Sequence, residues 1–255
     1  MKTADARAVI TGGASGLGHA VGQLIVAAGG RVSLLDVNED RGVAAARTLG
    51  SAASFVHCDV ASEAQANSAI AAAREHMGGL NLLVNCAGIA GPARLLGRHG
   101  TTQANAFTRV VQINLIGTIL CDKAAAAMMQ NNAPGTDGER GVLIHTSSIA
   151  AYEGQIGQVA YTATKAAVAA MTLPIARELA MCGIRCVAIA PGIFRTPMLA
   201  AMPQDVQESL ARQVPFPQRL GEPQEYARIV QVIFENSMLN GTTIRLDGAI
   251  RMQPK

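Results

Sequence analysis

The chain has 255 residues, of which 49% are hydrophobic and 15% charged, and its formal net charge of +3 is spread along the sequence. That is enough for one large α/β domain with a substantial core. Aromatic residues make up only 3% and tryptophan is absent, so base-stacking surfaces, and with them a nucleic-acid partner, are not expected.

Five cysteines (Cys58, Cys86, Cys121, Cys182, Cys186) are odd in number and show no zinc spacing, which suits a reducing compartment. His19, His57, His76, His99 and His145 are scattered without a His-Glu-x-x-His pattern, so no metal site is expected. Strand-like sequence begins by Ala8, leaving no room for a signal peptide, and no uncharged apolar run reaches the length of a membrane span. The expectation is a soluble, cytoplasmic protein.

Taken in order, the chain opens with a strand over 8–11, a glycine loop, a helix over about 17–28 closed by Gly29-Gly30, and a strand over 31–36. A helix over 39–49, a strand over 54–58, a helix over about 63–76 and a strand over 80–84 follow. The next segment, 91–102, reads as irregular, and then a long helix runs from about 103 to 129. An exposed loop over 131–141 leads to a strand over 141–146 and the helix carrying Tyr161, in which Pro174 should kink the axis or cost a hydrogen bond. A strand over 185–190 ends at Pro191-Gly192. Segment 196–222 contains four prolines and a single short helical pattern, which suggests a mobile lid. A helix over 224–235 and a strand over 242–246 complete the chain. Strands alternating with helices predict a single-domain, doubly wound parallel sheet of Rossmann type, with helices on both faces and ligands at the carboxyl ends of the strands.

Two constellations carry chemistry. Gly12, Gly16 and Gly18 lie between a strand and a helix, where glycine lets the backbone approach a pyrophosphate that the helix-start amides attract. Asp36 ends the next strand, where its carboxylate could accept both hydroxyls of an adenosine ribose and would repel a 2′-phosphate; the bland alternative is a turn or capping residue. Neither Ser15 nor Val37 supplies a cation for such a phosphate, so NAD is expected over NADP. The second constellation is Tyr161 and Lys165, four residues apart on one helix face, with Ser148 just after a strand. The ammonium should favour the phenolate and draw a pKa of about 10 toward neutrality, while Ser148 meets the same substrate oxygen.

With Asp59-Val60, Asn85-Cys86-Ala87-Gly88, Asn114 and Pro191-Gly192, these pieces resemble the classical short-chain dehydrogenase/reductase family, in family order over the whole chain. Stretches at 10–18, 85–90, 153–155, 171–177, 213–221 and 239–254 are similar to its type II 3-hydroxyacyl-CoA dehydrogenase (type 10 17β-hydroxysteroid dehydrogenase) subgroup. The resemblance implies Tyr161 as acid/base, Lys165 as the group that lowers its pKa and holds the nicotinamide ribose, Ser148 as orienter of the substrate oxygen, and Asn114 as a link in proton passage through water. It implies that Gly12, Ser15, Gly16, Leu17, Gly18, Asp36, Asp59, Val60, Asn85, Cys86, Ala87 and Gly88 line the adenosine and pyrophosphate side. Pro191, Gly192, Phe194 and Thr196 would flank the nicotinamide. Cys86 stands where the wider family has a second Asn, and Arg195 where the subgroup tends to have a small residue. Segment 91–102 also differs in detail.

The activity so implied is NAD-dependent interconversion of a secondary alcohol and a ketone, foremost (S)-3-hydroxyacyl-CoA and 3-oxoacyl-CoA, by a homotetramer without a membrane partner. The alternatives are a steroid, cyclic or aryl alcohol as substrate, or a non-catalytic dinucleotide-binding regulator. The intact Ser148, Asn114, Tyr161 and Lys165 argue against the last. Met198, Leu199, Met202, Leu210, Val214 and Phe216 could line an acyl slot. Arg94, Arg98 and Arg195 could hold the phosphates of coenzyme A, or simply be solvated.

Overall fold

A computed structural model describes residues 1–97, 100–200 and 203–254. Arg98, His99 and Met202 lie outside the described residues. The nucleus is a parallel sheet built from β1 (Arg7–Thr11), β2 (Arg31–Asp36), β3 (Ala53–His57), β4 (Leu82–Asn85), then β7 (Gly141–Thr146), β8 (Ile184–Pro191) and β9 (Thr243–Leu246). A two-stranded ribbon, β5 (Leu96–Gly97) with β6 (Gly100–Thr101), stands apart, so segment 91–102 is not wholly irregular. The sheet order is β3-β2-β1-β4-β7-β8-β9 with every pairing parallel. The chain runs outward from β1 to β3, then crosses back to start the other half at β4. The loops after β1 and β4 therefore diverge, leaving a crevice at the carboxyl edge where they part.

Helices cover both faces because the central strands are apolar on both. β4 and β8 are buried throughout, and β1 almost so. One face packs against α1 (Gly16–Ala27), α2 (Glu39–Leu49) and α9 (Pro223–Glu235) through Ile10, Val21, Ile25, Ala45, Val230 and Phe234. The other packs against α3 (Glu63–Met77), α5 (Gly117–Met129) and α6 (Val159–Leu179) through Val9, Ile70, Leu83, Cys121, Leu143 and Ala176. Helix ends follow local chemistry. Asn38 and Ser62 cap α2 and α3 by accepting from Arg41 N and Gln65 N, and Gly78 ends α3 in the left-handed region.

Three expectations change. The long helix expected over 103–129 is α4 (Ala104–Val111) joined to α5 by a π-helical turn at Gln112–Ile116. The segment 196–222 holds two helices, α7 (Pro197–Ala200) and α8 (Gln204–Arg212): Pro197 opens one and Pro203 caps the other, positions where proline starts a helix rather than breaks it. Finally, Ala104–Met129 and Val159–Cys182 are long and apolar enough by length and composition to cross a membrane. Both lie on the sheet instead, with Ala124, Met129, Val168 and Ala176 buried. Pro174 sits inside α6, which continues through it.

Candidate active site

A cleft of about 630 Å³ opens where the carboxyl ends of β1, β2, β4, β7 and β8 meet α1 and α7. One half is built for close backbone approach. Gly12 has φ 63°, and a Cβ there would lie 2.8 Å from Ala87 N; a Cβ on Gly18 would lie 2.6 Å from Gly12 O. The loop thus lays the first turn of α1 on the cleft floor. Ser15, at the N-cap of α1, makes no side-chain capping bond, so its hydroxyl and the first-turn amides stay available to an anion. Leu17, Gly16 and Gly18 complete this wall.

Asp36 lines the cleft at the end of β2, accepting from Ala14 N through Oδ2 (3.2 Å) and from Asn38 N through Oδ1 (3.0 Å). The turn role and the cleft-facing role therefore coexist, since each carboxylate oxygen keeps a further acceptor position. Asp59 fixes its own turn by accepting from Ala61 N at 3.0 Å, which presents Val60 to the cleft. Ala87 N donates to Thr11 Oγ1 at 3.2 Å, holding the Cys86–Gly88 loop against β1. The Cys86 thiol donates to the Tyr226 hydroxyl and accepts from Thr146, and burial pushes its pKa up, so it is a packing group and not a nucleophile. These residues fit a dinucleotide: a backbone cradle, open helix-start amides and a carboxylate beyond them.

At the other end Ser148, Tyr161 and Lys165 converge. Ser148 caps the short turn after it by accepting from Ala150 N at 3.1 Å, and its hydroxyl is close enough to Tyr161 to favour the phenolate. Lys165 Nζ donates to Thr146 O at 2.7 Å and lies 5.7 Å from the centre of the Tyr161 ring. Ser147 Oγ donates to Lys165 O at 2.8 Å, so the end of β7 and the residue after it hold the same helical turn twice. Burial draws Lys165 down to about 8. Burial also raises the Tyr161 phenol, and the Ser148 hydrogen bond opposes that only in part. The depressed phenol expected from the sequence is therefore not what these surroundings give: burial is the larger influence on Tyr161 and acts upward. Pro191, Gly192, Phe194 and Thr196 form the facing wall.

Two expected site residues are not on that wall. Asn85 is buried behind it and donates to Asp122 Oδ1 at 2.8 Å: alternation along β4 sends Cys86 toward the cleft and Asn85 into the core beneath α5. Asn114, in the π-helical turn, accepts from Ile89 N (2.8 Å) and donates to Ile89 O (2.9 Å) and Thr164 Oγ1 (3.3 Å). It holds the loop after β4 against α6.

The lid residues divide likewise. Met198 lines the cleft, but Leu199 and Val214 are buried, the latter against Ile149 and Ile250, and Phe216 is 82% exposed. Among the described residues they do not form one slot. Arg195 pairs with Glu222 at 3.1 Å and Arg94 is exposed. Arg109, missed in the sequence, lines the cleft with Ile113; their spacing of four on one helix face was the available signal.

The model of the short chain dehydrogenase family matches residues 6–207. The chain belongs to that family. The short-chain dehydrogenase is 48% identical over 252 residues to 3-hydroxyacyl-CoA dehydrogenase type-2 of Drosophila melanogaster, covering 98% of this chain and 99% of the relative. It is 50% identical over 249 residues to the Homo sapiens protein of the same name, covering 97% and 95%. The crystal structure of 3-hydroxyacyl-CoA dehydrogenase type-2 from Mycobacterium avium superposes with a TM-score of 0.90 at 39% identity, covering 97% of this chain and 96% of that one. The protein is thus an oxidoreductase that uses a nicotinamide dinucleotide on a small-molecule substrate.

Proposed function

We propose that this short-chain dehydrogenase interconverts (S)-3-hydroxyacyl-CoA and 3-oxoacyl-CoA with NAD. The observation that carries the chemistry is the convergence of Ser148, Tyr161 and Lys165 at one end of a dinucleotide-shaped cleft. The bound dinucleotide supplies the hydride acceptor. Ser148 orients the substrate hydroxyl, Tyr161 removes its proton, and Lys165 holds the adjoining ribose and stabilises the phenolate. Gly12, Ser15, Gly16, Leu17 and Gly18 face the pyrophosphate, Asp36 the ribose hydroxyls, and Asp59, Val60 and the Cys86–Gly88 loop the adenosine. Pro191, Gly192, Phe194 and Thr196 flank the nicotinamide. Asn114 contributes by fixing Ile89 and α6. Segment 196–222 acts as the lid over this site.

The acyl-CoA substrate is supported by relatives of that name matching over nearly the full chain. Arg109, which lines the cleft, and the exposed Arg94 suit the phosphates of coenzyme A, whose binding would position the 3-hydroxyl beside Tyr161. Acetoacetyl-CoA should then exceed the matching small ester by at least about a hundredfold in kcat/KM, roughly 3 kcal/mol. The advantage should shrink with added salt. Equal efficiency on the ester would remove coenzyme A from the reading.

We further place the protein in the cytoplasm as a homotetramer. Its cysteines are free thiols. Ile119 on α5 and Val159 and Leu173 on α6 leave apolar side chains exposed on the two long helices, faces that two-fold pairing would cover. Light scattering at micromolar concentration should return the mass of four chains; a monomer would contradict it.

A further inference from the structure

Behind the cleft, beneath α5 and α6, buried polar side chains from four elements form one chain. Asn85 Nδ2 (β4) donates to Asp122 Oδ1 (α5) at 2.8 Å, and Asp122 Oδ2 lies 2.8 Å from His145 Nε2 (β7). His145 Nδ1 lies 3.2 Å from the hydroxyl of Thr172 (α6). His145 has no exposed surface, and the other three are buried with it. The remaining group against the ring is the Cys186 thiol of β8, 3.6 Å from Nε2 and 3.8 Å from Nδ1, and burial raises its pKa.

The protons of this chain can be counted. Thr172 has one hydroxyl proton, and it goes to Val168 O at 2.9 Å. Toward His145, then, Thr172 is an acceptor and Nδ1 carries a proton. Asp122 takes the Asn85 amide at one oxygen and presents the other to Nε2, so Nε2 carries a proton too. A ring with both nitrogens protonated is an imidazolium. The field of the surroundings agrees in direction: burial, the largest single influence, pushes the ring down, but the Asp122 carboxylate opposes it and the net shift is upward.

We infer that His145 stands as an imidazolium paired with Asp122, and that the pair positions the catalytic groups. The elements it joins are those that present the site. β4 leads into the Cys86–Gly88 loop, α5 continues the turn holding Asn114, and α6 carries Tyr161 and Lys165. On β7, His145 adjoins Thr146, whose carbonyl receives Lys165 Nζ. A buried charge pair is strongly destabilised when one partner is removed or displaced, so the four elements are locked in one register. The positioning half of this inference rests on the Tyr161–Lys165 reading above; the charge state of His145 does not.

The charge state is read directly by ¹⁵N NMR of the histidine-labelled full chain at pH 8. One histidine, absent in His145→Asn, should show both nitrogens at imidazolium shifts; a neutral tautomer at His145 would overturn the inference. For positioning, Asp122→Asn should return His145 to a pKa at or below about 6.5. The variant's kcat per folded subunit should fall at least about fivefold, with KM for NAD within about twofold, and kcat should gain a pH limb near 6–7 absent from the wild type. Adding His145→Asn should abolish that limb. An unchanged kcat without the limb, or a limb that survives the double change, would overturn the positioning role. If Asp122→Asn does not fold, Thr172→Val removes the Nδ1 acceptor, together with the hydroxyl's bond to Val168 O, and leaves Asp122 in place. It should lower kcat at least about threefold, and an unchanged value would overturn positioning.

Discussion

Tyr161→Phe should bind NAD as the wild type does and lose at least about a thousandfold in kcat, the upper range for removal of one acid/base group. The ring, its packing and its distance from Lys165 survive the change; only the titrating oxygen goes. The pH dependence should carry the same message. In the free enzyme burial holds Tyr161 protonated while Lys165 is drawn down to about 8. Oxidation needs an unprotonated acceptor, so kcat/KM should rise with pH as the coupled pair sheds its first proton, and the apparent value belongs to the pair. Lys165→Met should move that rise upward, because burial then acts on the phenol unopposed by a nearby cation. Activity of Tyr161→Phe within tenfold of wild type would end this mechanism.

Cofactor choice should rest on Asp36. Its carboxylate already holds Ala14 N and Asn38 N, which orients it at the cleft edge, and two charge-assisted bonds to ribose hydroxyls would add roughly 2–4 kcal/mol. A 2′-phosphate at that place would meet a negative charge and lose both bonds. The wild type should therefore prefer NAD over NADP by at least about a hundredfold in kcat/KM, and Asp36→Ala should mainly weaken NAD binding. Steady-state kinetics with both dinucleotides checks this; equal use of NADP would contradict it.

Much of the architecture was legible because each half of the sheet repeats a local code. Glycine punctuates the turn after β1, apolar runs mark strands buried on both faces, and Asp36 and Asp59 stand at strand ends. Tyr161 and Lys165 were legible because helical spacing is local. What escaped depends on contacts between distant segments. That Asn85 turns inward while Cys86 faces the cleft depends on the register of β4 between β1 and β7. Asp122 and His145 look unrelated until the sheet brings α5 over β7, and nothing local marks either as charged and buried. The π-helical turn around Asn114 is set by its bonds to Ile89 and Thr164, from neighbouring elements. Within 196–222 a second short helix went unread because its first residue is a proline, Pro197, which suits a helix start.

The central claim is that this short-chain dehydrogenase turns over 3-hydroxyacyl-CoA with NAD. Its most direct test is the initial rate of NADH formation by purified protein across a panel of 3-hydroxyacyl-CoAs, hydroxysteroids and cyclic secondary alcohols at fixed NAD. A 3-hydroxyacyl-CoA should give the highest kcat/KM. A steroid or cyclic alcohol ranking first would contradict the substrate, and no turnover of any alcohol would contradict the enzyme.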